Sequence, residues 1–249
     1  MRNGASPRAA RLAPSTGTPH RKNKRKHRKS GIELETKATP QQKRARSTYD
    51  AILESAGELL AEVGVERLST NLVCKRAGIT PPALYRYFPN KYALLKELGT
   101  RLMAVQDAAV YAWQDDVRST RGRSVATDAA IREEILTRVN DITRDFPGGS
   151  WVLRALRAVP TLSAVRIASR ERVAERDFEV LAERYPDADR RVLRIAATLV
   201  VEVTYATTEL VMDQPELNAE TITQEISHMT ALYLDSFRKA RRKVRLSEQ

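Results

Sequence analysis

A single cysteine, Cys74, among 249 residues leaves no partner for an intrachain disulfide, so the fold has to be held by its core rather than by cross-links. Long apolar runs are missing too. The longest, IAATLVV at 195–201, ends at Glu202, well short of the roughly 18 residues that a bilayer span requires. Aromatic residues make up only 6% of the chain, and two of its three histidines, His20 and His27, fall near the start. The first thirty residues carry no apolar stretch that reads as a secretory signal. No glycine-rich phosphate loop, nucleophile elbow or metal-ligating cluster can be picked out, and His228 stands among Ser, Met and Thr. Acids such as Asp115, Asp116, Glu133 and Glu134 read as solvated helix faces. These absences argue against an enzyme, a cofactor, a metal site and a membrane protein. The expectation is a cytoplasmic protein with one or two packed domains.

What is present is charge, and it is unevenly placed. The net charge is +12. Residues 1–46 hold 14 Lys/Arg against 2 acids, which accounts for all of it, and the remainder is balanced. The densest block, RKNKRKHRK at 21–29, has seven bases in nine residues, and a smaller cluster, RKARRKVR, lies at 238–245. Such a block reads as an arm that touches polyanions, or as a merely solvated tail. Residues 1–39 lack apolar periodicity and are rich in Pro, Gly, Ser and Thr, the composition of a disordered segment.

From Pro40 onward the period is helical. Tyr49, Ile52, Leu53, Ala56, Leu59, Leu60 and Val63 recur three and four apart, and Gly64 ends the stripe. Further helices are expected over 69–77, 80–88, 91–117, 124–145, 149–158, 161–184, 187–213 and 218–244. The breaks fall at 119–123, 147–149, Pro160, Pro186 and 213–218. No segment alternates at period two. The fold class is all-α, with about nine helices in a small N-terminal domain and a larger bundle.

Within the N-terminal part, ITPPALYRYFPNKYALL (79–95) stands out. Thr80 suits an N-cap and Pro81 the first helical position. Ile79, Leu84 and Phe88 share one face, which leaves Pro82, Ala83, Tyr85, Arg86 and Tyr87 outward or at its margins. Pro89 stops the helix, and Asn90 caps the next. A short helix with outward tyrosines and a guanidinium makes poor core. It makes a good reader of a DNA major groove, with its N-terminal field facing phosphate.

The run LSTNLVCKRAGITPPALYRYFPNKYALL (68–95) resembles the helix-turn-helix of TetR-family transcriptional regulators. It carries Ala77, Gly78, Ile79, Thr80, Leu84, Tyr85, Tyr87, Phe88 and Lys91 where the family pattern has them. The resemblance implies a helix-turn-helix domain over 40–98 and an effector-binding and dimerisation domain over 99–249. It implies DNA contacts at Thr80, Pro82, Ala83, Tyr85, Arg86, Tyr87 and Lys91. Cys74 stands where alanine is usual and reads as a small buried residue. Leu72 replaces a polar residue, and the Pro81-Pro82 pair leaves fewer side chains to read bases.

The same resemblance implies a homodimer built from the last two long helices. The stripe Ile222, Ile226, Met229, Tyr233 and Phe237 fits such a face. So does the preceding helix, through Val203 and Leu210 together with Leu193, Ala196, Ala197, Val200, Ala206 and Thr207. Tyr111, Trp113, Phe146, Trp151, Phe178, Tyr205 and Met212 are candidate walls of an effector pocket, with Thr204, Thr208, Glu202 or Glu209 as polar anchors. The implied partners are a palindromic double-stranded DNA operator, a small partly apolar effector that releases a repressor from it, and a second copy of the chain. The alternative is an architectural DNA-binding protein dominated by its basic arm and lacking an effector.

Overall fold

The computed structural model describes residues 32–38, 42–118 and 124–247, except the side chains of Lys43 and of residues 239–247. The basic block at 21–29, the break expected at 119–123 and most of the second basic cluster lie outside that description. Nine α-helices and no strand occur among the described residues. They are α1 (Lys43–Arg67), α2 (Thr70–Ala77), α3 (Pro81–Tyr85), α4 (Lys91–Arg118), α5 (Val125–Asp145), α6 (Gly149–Ala158), α7 (Ser163–Arg184), α8 (Arg190–Asp213) and α9 (Ala219–Ser247), with a 3₁₀ turn at Pro160–Leu162 between α6 and α7.

Local chemistry sets most of the ends. Helix α1 is interrupted at Gly64, where φ is 73° and ψ 175°. Ser69 caps α2 by accepting the Leu72 N–H, and Gly78 closes it in the left-handed conformation, where a side chain would be strained. Asn90 Oδ1 accepts from Tyr92 N at 2.9 Å and Ala93 N at 3.1 Å, and so caps α4. Ser124, Asp189 and Asn218 do the same for α5, α8 and α9.

Helices α1–α3 and the start of α4 enclose one end of the core. Tyr49, Ile52, Leu60, Val73, Leu84, Phe88, Leu94 and Leu98 are all buried there, and the Tyr49 ring stacks on Phe88 at 4.9 Å. The domain boundary expected at 98/99 falls inside the continuous helix α4, and one apolar core runs across it to Leu156, Val173 and Tyr205. Beyond it, α4, α5, α7, α8 and α9 form the larger bundle, with α6 wedged between α1 and α4 on one side and α7 and α8 on the other. Helix α8 is, among the described residues, the one long and apolar enough to cross a membrane by composition. It packs on α5, α6, α7 and α9.

An extended segment, 32–38, lies on the helix-turn-helix unit. Lys37 N donates to Tyr87 O at 2.8 Å, and Asn90 Nδ2 donates to Glu33 O at 2.7 Å. Lys96 pairs with Glu35.

Candidate nucleic-acid interface and effector cavity

Between Leu68 and Tyr92 there are four bases and no acid. Arg76 is committed elsewhere, in ion pairs to Glu58 and Glu62 of α1. Lys75 and Arg86 are exposed. The Tyr85 ring is half in solvent, and its hydroxyl lies 3.0 Å from Thr70 Oγ1, which ties α3 to the first turn of α2. Thr80 and Pro82 are exposed and Ala83 partly so. Thr80 occupies the N-cap position but makes no side-chain cap bond. Pro82 has no N–H to give, and the Ala83 N–H goes to the Thr80 carbonyl at 3.0 Å. The hydroxyl is therefore left facing out.

Two residues sit differently from expectation. Tyr87 is only 5% exposed, packed edge-on against Tyr49 at 5.5 Å, rather than outward. The cause is helical spacing: Tyr87 stands three residues after Leu84, its N–H reaches the Leu84 carbonyl at 2.9 Å, and it shares the inward face of Leu84 and Phe88 although α3 itself stops at Tyr85. Lys91 donates to the Val65 and Glu66 carbonyls at 3.1 and 3.2 Å, capping the end of α1. Leu72, by contrast, is 38% exposed as the sequence suggests. Cys74 is buried, and burial pushes its thiol up, away from reactivity. Arg44 and Arg46 were overlooked in the sequence. Both are exposed in the first turn of α1, which holds no acid. Bases there oppose the helix dipole, and that mismatch was the available signal for an external anion.

The larger bundle contains a cavity of about 70 Å³ between α4, α5, α7, α8 and α9. Trp113, Tyr205, Thr204 and Thr208 line it. The other expected wall residues do not. Trp151 covers Gly64 and stacks under Arg154, Phe178 packs with Leu181 and Leu193, Tyr111 lies under Arg176, and Phe146 and Met212 pack on the main core. Large flat rings fill space efficiently, and here they went to helix junctions. Aliphatic and hydroxyl side chains surround the void instead. Glu202 and Glu209 are not anchors either, because both pair with the buried Arg170, at 2.6 and 2.9 Å.

That pairing belongs to a chain of charges. Glu209 also takes Arg157 at 3.2 Å, Arg157 takes Asp213 at 2.6 Å, and Asp213 takes Arg154 at 2.7 Å, so α7, α8 and α6 are tied in series. Tyr205 connects the cavity to α4. Its hydroxyl lies 3.1 Å from Ser169 Oγ, which donates to Asp107 at 2.6 Å. Burial raises the Tyr205 phenol to about 12. Burial likewise pushes the Asp177 carboxyl up at the cavity wall, although Arg132 and Gln114 pull it down.

A third surface is apolar. Leu193, Ala196, Ala197, Val200 and Thr207, read from sequence as part of a dimer face, are buried inside the subunit. The free stripe of α8 is Val192, Ile195, Leu199 and Leu210, with Ile195 59% exposed. On α9, Met229 (51% exposed), Leu232 and Tyr233 face solvent. Ile222, Ile226, Phe237 and Val203 are half-buried, and Ile226 lines the cavity.

A short capped two-helix reader on a third helix, joined through one long helix to a hollow bundle, defines a helix-turn-helix transcriptional regulator. Residues 52–98 match the model of the bacterial regulatory proteins of the tetR family, and residues 127–237 match that of the tetracycline repressor-like C-terminal domain. The chain belongs to the TetR family of DNA-binding transcriptional regulators. It is 41% identical over 56 residues to the class C tetracycline repressor of Escherichia coli, which is 22% of this chain and 26% of that one. The match thus spans about a quarter of that relative's length. A TetR-family regulator from Mesorhizobium loti superposes with a TM-score of 0.60 at 11% identity, over 78% of this chain and 98% of that one. The SmeT–triclosan complex gives 0.56 at 18% identity, over 75% and 91%. At these identities the structures establish the fold alone.

Proposed function

We propose that the chain is a cytoplasmic homodimeric repressor that binds a near-palindromic operator and is released by a small, partly apolar effector, without catalytic activity. The observation that carries this reading is the link from the cavity to the reader's own support. Tyr205 lines the void and reaches Asp107 of α4 through Ser169, and α4 begins at the helix-turn-helix. SmeT, of the same fold, is a relative seen with a small molecule, triclosan. The cavity is smaller than the roughly 300–1,000 Å³ of ordinary ligand sites. Its occupant must therefore move helices, and moved helices are what a regulator needs.

Thr80, Pro82, Ala83, Tyr85 and Arg86 are the proposed DNA contacts, Arg86 foremost because it is exposed and carries the charge. Arg44 and Arg46 join them. Tyr87 and Lys91 act by holding the reader in place, the lysine with one remaining N–H for phosphate. The decisive experiment is selection of bound DNA from a random pool, which reports specificity, symmetry and half-site spacing at once. A palindrome with centres about 34–36 Å apart is expected. Arg86→Ala should then weaken operator binding by roughly 1–3 kcal/mol with helicity unchanged by circular dichroism. Undiminished affinity in this variant rules out α3 as the reader.

The basic arm is proposed to follow the phosphate backbone. Deleting residues 1–31 should make the slope of log K against log salt shallower by roughly 7 for the dimer, the value for about four phosphates from each of two arms. The ratio of specific to random-sequence affinity should barely move, since phosphate contacts carry no sequence information. Sequence-blind coating of DNA in the selection would instead favour the architectural reading.

A further inference from the structure

Four helices each bring one buried polar side chain to the cavity wall: Gln114 from α4, Asp177 from α7, Thr208 from α8 and Ser227 from α9. They are 1%, 5%, 1% and 2% exposed. Gln114 Oε1, Asp177 Oδ2, Thr208 Oγ1 and Ser227 Oγ have no hydrogen-bond partner. Buried polar atoms are almost always partnered, because an orphan forfeits its bond to water and receives nothing back. Gln114 and Asp177 engage each other with their remaining atoms, whereas the Thr208 and Ser227 hydroxyls have nothing to bond; together these free positions on one void are a shaped demand for a ligand's polar groups.

The sign of that demand is readable. Thr204 and Thr230 also line the cavity, but their protons are given to the Val200 and Ile226 carbonyls at 2.8 and 2.9 Å. Each can offer only a lone pair. Tyr205 shares its hydroxyl with Ser169 and Asp107. Gln114 Oε1, Thr204 and Thr230 can thus only accept, while the Thr208 and Ser227 hydroxyls can give or take, so a ligand group that both donates and accepts fits the wall better than one that only accepts. Arg132 and Asp177 stand on the same wall and face each other electrostatically, the guanidinium partly offsetting the rise that burial gives the carboxyl, so a ligand carboxylate would have to compete with Asp177 for that guanidinium. The remaining lining is mostly aliphatic, with the Trp113 ring.

We propose, resting on the effector reading above, that the cavity selects a compact, uncharged aromatic alcohol, whose hydroxyl donates into this acceptor cluster while its ring meets the apolar wall. Carboxylates and ethers of the same shape are rejected. A site built to bond a hydroxyl discriminates strongly against the analogue lacking it, because the site's own polar atoms are then left unpaired.

The test is calorimetric titration of the full-length protein with 4-ethylphenol, 4-ethylanisole and 4-ethylbenzoate, which share one body and differ in the polar group. The phenol should bind at least tenfold more tightly than either of the others. The double variant Thr208→Val, Ser227→Ala should lose at least tenfold in phenol affinity and keep the ether's. It should melt no lower than the parent, because two orphaned hydroxyls have been removed at nearly constant shape. Equal binding of ether or benzoate, no binding of any probe at millimolar concentration, or a phenol preference that survives the double substitution each overturns the proposal. Operator binding is measured separately. A phenol that binds selectively yet leaves DNA affinity unchanged supports the cavity's selectivity and removes the effector reading. A benzoate that binds better and releases DNA keeps the effector reading and overturns this one.

Discussion

Glutamate at both Ile195 and Met229 should turn the protein into a monomer in sedimentation equilibrium, with helicity and melting temperature nearly unchanged. Both side chains already face solvent in the subunit, 59% and 51% exposed, so the substitution costs the folded monomer little. A dimer loses much more. Burying an aliphatic side chain of this size is worth roughly 1.5–3 kcal/mol, and two-fold symmetry counts each residue twice. With about half of each side chain left to bury, the loss is on the order of 3 kcal/mol or more, about two decades in dimer dissociation, before the repulsion of clustered carboxylates is added. Operator affinity should follow. A second reader held on the same dimer binds at an effective concentration near millimolar, and losing it costs on the order of 10² to 10⁴ in affinity. A double variant that still sediments as a dimer would falsify the placement of the interface on α8 and α9.

The second large effect is expected at Gly57, where alanine should destabilise the fold although alanine is the better helix former. In an open helix, Gly→Ala gains about 1 kcal/mol. At this position a Cβ would lie 2.4 Å from the Pro147 carbonyl oxygen, and one at Gly148 would lie 2.3 Å from the Gly57 oxygen. Backbone presses on backbone, with no flexible side chain to give way. Overpacking of this kind costs typically 1–3 kcal/mol, occasionally more. A fall in melting temperature of roughly 5–10 °C is expected for a chain of this size. The contact joins α1 to the turn before α6. A rise in melting temperature on Gly57→Ala would show that the two backbones are not in contact.

Helix positions were legible because the apolar stripes and the punctuation agreed. Gly64, Ser69, Gly78 and Asn90 each act where local chemistry places them. The face of α8 was not legible. Leu193, Ala196 and Val200 form one apolar row and Val192, Ile195 and Leu199 another, and periodicity does not say which row meets the chain's own core. Tyr87 escaped for a related reason: it sits at the margin of the face that Leu84 and Phe88 define, and only the position of Tyr49 on α1 shows that this margin is covered. The cavity left still less trace. A void is defined by what several helices fail to fill, and its marks are isolated polar residues such as Gln114, Asp177 and Ser227, which resemble any other polar residue until their neighbours are known. The acid-free reader and the basic first turn of α1 could have been read as one electrostatic surface from the start.

The N-terminal end of α4 is tied by three contacts to two neighbours: Lys91 to the end of α1, and Asn90 and Lys96 to the extended segment at Glu33 and Glu35. The same helix runs on for 28 residues without a break, and Asp107 and Gln114 lie along its distal half. At 1.5 Å per residue, Asp107 sits roughly 24 Å from the tied end. A rigid rod pivoting by about 5° over that span sweeps its far end through about 2 Å, on the same rise per residue. In a two-fold assembly such a sweep is applied twice in opposite senses, so the spacing between two readers changes by about twice as much. A cavity that needs only a few ångströms of expansion can thereby put both readers out of step with a groove repeat set by the DNA and not by the protein.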